Sequence, residues 1–211
     1  MKARDRLIIA LDIGSYEEAR EMVDLLGEEV DIFKVGMAAF TGYGERILDH
    51  LDSKGKKVFL DLKYHDIPNT VFNAAREGGK RRVFMMNFHC IGGRVMLEAA
   101  AKGGRETSPD TILLGVTVLT SMGRGDMEEL GMDGDVEKRV LAFARSAREA
   151  GLDGVVASAR EAAKIKEHAG ADTVVVTPGI RPSWAAMGDQ KRVLSPAEAL
   201  KAGADYLVVG R

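Results

Sequence analysis

The chain has 211 residues, 45% of them hydrophobic and 29% charged, with a formal net charge of −2. That balance excludes a disordered polypeptide and leaves no basic excess for nucleic acid or an anionic membrane, so any anion site must be local. The single cysteine, Cys90, rules out an internal disulfide, no Cys/His spacing marks zinc, no apolar run nears the roughly 18 residues of a membrane span, and the start is not a signal peptide. A soluble, cytoplasmic globular protein is expected.

Short apolar runs alternate with amphipathic stretches along the whole chain. Strands are predicted at Leu7–Asp12, Ile32–Gly36, Val58–Lys63, Val83–His89, Thr111–Leu119, Gly154–Ser158, Thr173–Thr177 and Tyr206–Gly210. They lack polar alternation, as parallel strands covered on both faces do. A helix is predicted over Tyr16–Leu26, with Ser15 as N-cap and Glu18 completing a capping box. Another runs over Val136–Ala150 and stops at Gly151, and Ser195-Pro196-Ala197-Glu198 opens a third. The acidic segment Gly125–Asp135 reads as a solvated insertion. Eight strands separated by helices, with no linker, predict an α/β fold, a single (β/α)8 TIM-barrel domain over residues 1–211; a doubly wound open sheet is the alternative. Such a barrel lays a helix over its eighth strand, and that final helix is absent from the sequence, which stops at Arg211.

Charge interrupts the apolar strands near their C-terminal ends, where barrels place their chemistry. Strand one ends in Asp12, strand two carries Lys34, and strand three reads Val58-Phe59-Leu60-Asp61-Leu62-Lys63, with Asp66 just beyond. Residues i and i+2 share a face of a strand. Phe59, Asp61 and Lys63 therefore face the barrel axis, and Lys34 and Asp12 satisfy the same parity. A lone Asp61–Lys63 pair could serve register alone. Two acids and two lysines converging on one pocket mouth point to a catalytic site. Later, Thr177-Pro178-Gly179-Ile180-Arg181 and Gly210-Arg211 end strands seven and eight, the usual phosphate station of barrels, and Ser183–Arg192 with Trp184 forms a candidate lid. His89 reads as a hydrogen-bonded structural histidine, Met85-Met86 as core, and Cys90 as a buried small hydrophobe.

Asp61-Leu62-Lys63-Tyr64-His65-Asp66-Ile67-Pro68-Asn69-Thr70 resembles the signature of the orotidine 5′-phosphate decarboxylases. Leu11-Asp12, Phe33–Gly36, Thr117–Met122, Thr177–Arg181 and Gly188–Arg192 resemble the same family, and the short loop before Gly188 resembles its bacterial form. The resemblance implies a cofactor-free, metal-free homodimer of barrels that converts orotidine 5′-monophosphate to uridine 5′-monophosphate and carbon dioxide in pyrimidine biosynthesis. It implies that Asp12 and Lys34 hold ribose hydroxyls, that Lys34 orients Asp61, and that Lys63 donates the proton. It also implies that Asp66, Ile67 and Thr70 enter the partner's site, that Thr120 reads the pyrimidine edge, and that Arg181, Gln190, Gly210 and Arg211 serve the phosphate side. Two rivals remain at this point. Sugar-phosphate lyases of the same wider group hold magnesium with an acid on strand two, where this chain has Lys34. A catalytically dead barrel acting as a binding module is the other.

Overall fold

The computed structural model describes residues 3–180 and 194–210. Eight parallel strands close into a barrel in sequence order: β1 (Leu7–Ala10), β2 (Ile32–Gly36), β3 (Lys57–Tyr64), β4 (Met85–His89), β5 (Ile112–Val116), β6 (Gly154–Val156), β7 (Val174–Thr177) and β8 (Tyr206–Val209). The open doubly wound sheet is thereby excluded. The helices between the strands are α1 (Tyr16–Leu26), α2 (Met37–Ser53, interrupted at Gly44), α3 (Pro68–Lys80), α4 (Arg94–Thr107), α5 (Arg124–Glu129), α6 (Val136–Glu149), α7 (Ala162–Ala169) and α8 (Pro196–Lys201). Among the described residues no helix follows β8, and the outward-facing Leu7 and Ile9 of β1 are only partly buried.

Local chemistry sets several boundaries. The Ser15 hydroxyl accepts the Glu18 amide at 3.2 Å and starts α1, but Glu18 returns no bond to Ser15, so the expected capping box is half made. The full box occurs at α8, where the Glu198 carboxylate accepts the Ser195 amide and Pro196 occupies the first turn. Asp135 caps α6 through the Lys138 amide at 3.0 Å. The segment expected to be a solvated insertion contains the short helix α5. Asp126 fastens it to the Gly123 amide at 2.7 Å, and Met127 is buried beneath it.

Strand parity divides the core into two layers. Ile8, Ala10, Ile32, Phe59, Met85, Leu114, Val176, Tyr206 and Val208 plug the barrel interior. Phe33, Val35, Leu60, Met86, Phe88, Leu113 and Val155 face outward onto the helices. Met85 and Met86 are both fully buried, one in each layer, and Cys90 is buried with its thiol pushed up to about 12. β5 ends earlier than the apolar pattern suggests. Thr111 turns its hydroxyl to the Val83 carbonyl, and beyond the Thr117–Val156 bond the chain leaves the ladder although Val118 stays buried.

Two acids lock neighbouring strands at the N-terminal end of the barrel. Asp153 accepts the Leu113 amide at 2.7 Å and the Arg105 guanidinium, and Asp205 accepts the Val175 amide at 2.8 Å and Lys166 Nζ at 3.0 Å. Directly after Asp153, β6 approaches β7 so closely that a Cβ on Gly154 would lie 2.0 Å from the Val174 carbonyl oxygen. Gly154→Ala should therefore lower stability by about 3 kcal/mol through backbone displacement. The check is the urea midpoint, and an unchanged midpoint would contradict this strand packing.

Candidate active site

The C-terminal end of the barrel holds a cavity of about 340 Å³. Its floor is the top of the apolar plug, including Ala10, Phe59, Val116, Val156 and Val208. Asp12, Lys34, Asp61 and Lys63 stand on one wall. Thr120 and Ser121 follow β5, and Pro178, Gly179 and Gly210 follow β7 and β8. A wider cavity of about 760 Å³ opens at the other end of the barrel, lined by Lys57, Arg81 and Arg82 among others. It lacks the alternating acid–lysine set, and that end of such barrels serves stability.

The four charges form a chain. Lys34 Nζ lies 3.2 Å from Asp12 Oδ1 and 3.2 Å from Asp61 Oδ2, and Lys63 Nζ lies 2.7 Å from Asp61 Oδ1. Register explains how Lys34 reaches both acids. Lys34 pairs with Ala10 and Phe59, whereas Asp61 pairs with Gly36, two residues nearer the mouth. The lysine side chain therefore climbs past Gly36. A Cβ there would sit 2.9 Å from both Lys34 Nζ and Asp12 Oδ1, so the absence of a side chain at position 36 is what lets the pair close.

Lys34 and Asp61 are both 8% exposed, whereas Lys63 is partly exposed to the cavity. Burial by itself drives the Asp61 carboxyl upward. Lys34, Lys63 and the Asn87 amide outweigh that effect and hold it below the ordinary carboxylate range. The site thus keeps a buried carboxylate ionised between two ammonium groups.

The strand carrying Asp61 and Lys63 is less regular than simple alternation implies. Its pairing with β4 shifts register between Leu60 and Tyr64, and Lys63 adopts a left-handed backbone with φ of 51°. The bulge interrupts the ladder while Lys63 still lines the cavity. Asn87 on β4 fills the gap. Its Nδ2 donates to Asp61 Oδ1 at 2.6 Å, and its Oδ1 accepts the Lys63 amide at 2.8 Å. Sequence reasoning missed Asn87. The available signal was a polar residue at the inward parity of the apolar strand Met85–His89.

The structure brings Asp12, Lys34, Asp61, Lys63, Thr120 and Gly210 to one cavity. It does not bring Asp66, Ile67 or Thr70 there. All three are exposed at the turn into α3, where Asp66 accepts the Ile67 amide at 2.6 Å and Ile67 is 67% exposed. Arg181, Trp184, Gln190 and Arg211, with the rest of the candidate lid, lie outside the described residues. His89 departs from its expected role. It makes no hydrogen bond to described residues, its ring lies 5.7 Å from that of His65 at a tilt of 57°, and burial, then His65 and Lys63, push its pKa down. Among the described residues, no group of three or more His, Cys, Asp or Glu side chains could hold a metal ion, and no helix is long and apolar enough to cross a membrane.

Comparison with known proteins supplies the context. Residues 5–211 match the model of the orotidine 5′-phosphate decarboxylase / HUMPS family. The orotidine 5′-phosphate decarboxylase of Heliobacterium modesticaldum is 48% identical, the alignment covering all of this chain and 89% of that protein. The protein of the same name from Carboxydothermus hydrogenoformans is also 48% identical, over 98% of this chain and 88% of the relative. The crystal structure of orotidine 5′-phosphate decarboxylase from Lactobacillus acidophilus superposes with a TM-score of 0.86 at 35% identity, covering 98% of this chain and 90% of that one. With its closed barrel and its strand-end charges in the order the signature requires, the chain belongs to the orotidine 5′-phosphate decarboxylase / HUMPS family.

Proposed function

We propose that the protein decarboxylates orotidine 5′-monophosphate to uridine 5′-monophosphate in pyrimidine biosynthesis, without a metal, and that Lys63 stabilises and protonates the ring carbanion. The observation that carries this reading is the Asp12–Lys34–Asp61–Lys63 chain on one wall of a cavity with an apolar floor. Loss of carbon dioxide breaks the bond between C6 and the carboxylate carbon. The electron pair stays on C6, in a ring with no electron sink. An ammonium already aimed at that carbon lowers the cost of the developing charge, then passes a proton from Nζ to C6, and solvent later restores that proton.

Asp61 acts in two ways on this reading. It fixes the Lys63 ammonium, and it lies beside the departing carboxylate. Two unit charges about 4 Å apart at an effective dielectric near 20 repel by roughly 4 kcal/mol. Relief of such repulsion as neutral carbon dioxide forms would contribute up to about three decades of rate. Asp12 and Lys34 offer an acceptor and a donor to the ribose hydroxyls, and Thr120 offers its hydroxyl to the pyrimidine edge. The backbone at Gly210, with Arg181, Gln190 and Arg211, serves the phosphate. Its grip contributes binding energy far from the reacting carbon.

The metal-free part of the reading rests on the donor set. Lys34 occupies the strand-two position from which a magnesium-dependent lyase of the wider group would present an acid, and its ammonium bridges the two carboxylates a cation would need. The homodimer rests on exposure. Asp66, Ile67 and Thr70 stand away from this chain's own cavity, and Ile67, Ile91 and Val95 leave apolar surface on the segments after β3 and β4. We place the reaction in the cytoplasm, since a charged nucleotide does not cross membranes unaided.

In an ultraviolet assay, orotidine 5′-monophosphate should disappear at the same rate with and without a chelator. Lys63→Ala should lower kcat by at least about 10³-fold while leaving the fold intact. Chelator-sensitive turnover would point to the magnesium lyase, and no turnover by the native chain to a binding module. For the shared site, Lys63→Ala and Asp66→Ala chains, each inactive alone, should regain about a quarter of native activity when mixed. Mixtures that stay inactive although the subunits exchange would place Asp66 outside the partner's site.

A further inference from the structure

The geometry points to Asn87 as the positioning residue that sets the reactive placement of Lys63 and Asp61. The inference deepens the proposed decarboxylation and rests on it.

Asn87 is fully buried and sits on the inward face of β4, between Met85 and His89. Its carboxamide uses one group on each member of the reacting pair. Nδ2 donates to Asp61 Oδ1, the same oxygen that receives Lys63 Nζ, and Oδ1 accepts the backbone amide of Lys63. A lysine in the left-handed region persists only where its surroundings hold it there. Here the β3 ladder to β4 lapses between Leu60 and Tyr64, and the Asn87 side chain takes over the bond to the Lys63 amide within that gap. No other residue type of this size offers both contacts. Asp offers no donor to a carboxylate, Leu offers neither group, and Ser is too short to span both. Asn87 is closed to solvent and does not line the cavity, so it acts through its two neighbours.

A positioning role predicts a particular kinetic split. Asn87→Ala should lower kcat about 30-fold, the range expected for a misplacement on the order of 1 Å, while KM changes less than about threefold. Asn87→Asp separates the two contacts. It keeps the acceptor for the Lys63 amide and replaces the donor to Asp61 by a second carboxyl. Two adjacent carboxyls share one proton, which raises the apparent pKa of the pair. Only the protonated pair restores the donated bond. Turnover by Asn87→Asp should therefore rise about tenfold from pH 8 to pH 6 relative to the native chain. The charged groups facing this position are Asp61 and Lys63 from β3, Lys34 from β2, Asp12 from the turn after β1, and His89 with the adjacent His65; the β5 residues Leu114 and Val116 are apolar. All these groups are present in the native chain as well, so the ratio of the two profiles reports the new carboxyl.

The experiment is steady-state turnover of orotidine 5′-monophosphate by the native chain, Asn87→Ala and Asn87→Asp from pH 6 to pH 8, with melting curves for each. A kcat loss at nearly constant KM in Asn87→Ala, together with acid rescue of Asn87→Asp, supports the assignment. Native kcat in either variant at pH 8 overturns it, as does a rise in KM without loss of kcat. Failure of both variants to fold makes Asn87 a residue of the fold alone and overturns it too. A native chain without turnover removes the decarboxylase reading, and the inference with it.

Discussion

A carboxylate held ionised in a nearly buried position is the constraint around which this barrel's upper end is built. Asp61 is too enclosed to be charged without compensation, and burial is the largest influence on it. Two ammonium groups and one carboxamide supply that compensation. Each comes from a different place: Lys34 from β2, Lys63 from the end of β3 itself, Asn87 from β4. Three adjacent strands must therefore be in register for one charge to be tolerated. Lys34 in turn draws in Asp12 from beyond β1, so the network, Asn87 included, spans the first four strand positions of the barrel.

The same constraint explains local departures from regular structure. The pair Asp61–Lys63 needs the lysine's head beside the acid and its backbone turned away from the β4 ladder, and the bulge gives both. Gly36 belongs to the same account: it leaves the channel through which Lys34 rises from one layer of the barrel to the next. Such irregularities cost stability locally and are sustained by the plug beneath, where Phe59, Met85 and Leu114 fill the interior in regular alternation.

Much of this was legible in the sequence. The apolar runs mark the eight strands, and the period of two puts Asp12, Lys34, Asp61 and Lys63 on one face. Helix α1 was bounded correctly at both ends because Ser15 is a strong cap and the apolar stripe of Ala19, Val23 and Leu26 stops where Gly27 begins. The bulge was not legible, since Leu60–Tyr64 contains no glycine or proline to mark a break. Asn87 carries no charge to mark it within an apolar strand, although the parity rule that selects Asp61 selects it as well. Strand five is shorter than its apolar pattern predicts, because Val118, buried beneath the helices, mimics the apolar continuation of a strand. Asp66 and Thr70 could be linked to the site only through the family's signature, because no regularity of one chain records what a second chain would contribute.

The position of the charge chain also bears on how strongly it can act. Its members rest directly on the apolar plug, with Ala10, Phe59 and Val208 forming the cavity floor. Field lines between the ammonium groups and a bound anion pass largely through low-dielectric side chains rather than water, so each charge acts more strongly than it would at a surface. Lys34 and Lys63 are held in place by Asp61 and, for Lys63, by the amide bond to Asn87. Preorganised dipoles and charges in such a setting stabilise a nascent anion without the penalty that mobile water would exact. The barrel's division into a regular apolar lower layer and an irregular charged upper one is thus a single physical arrangement: the first supplies the dielectric and the rigidity on which the second depends.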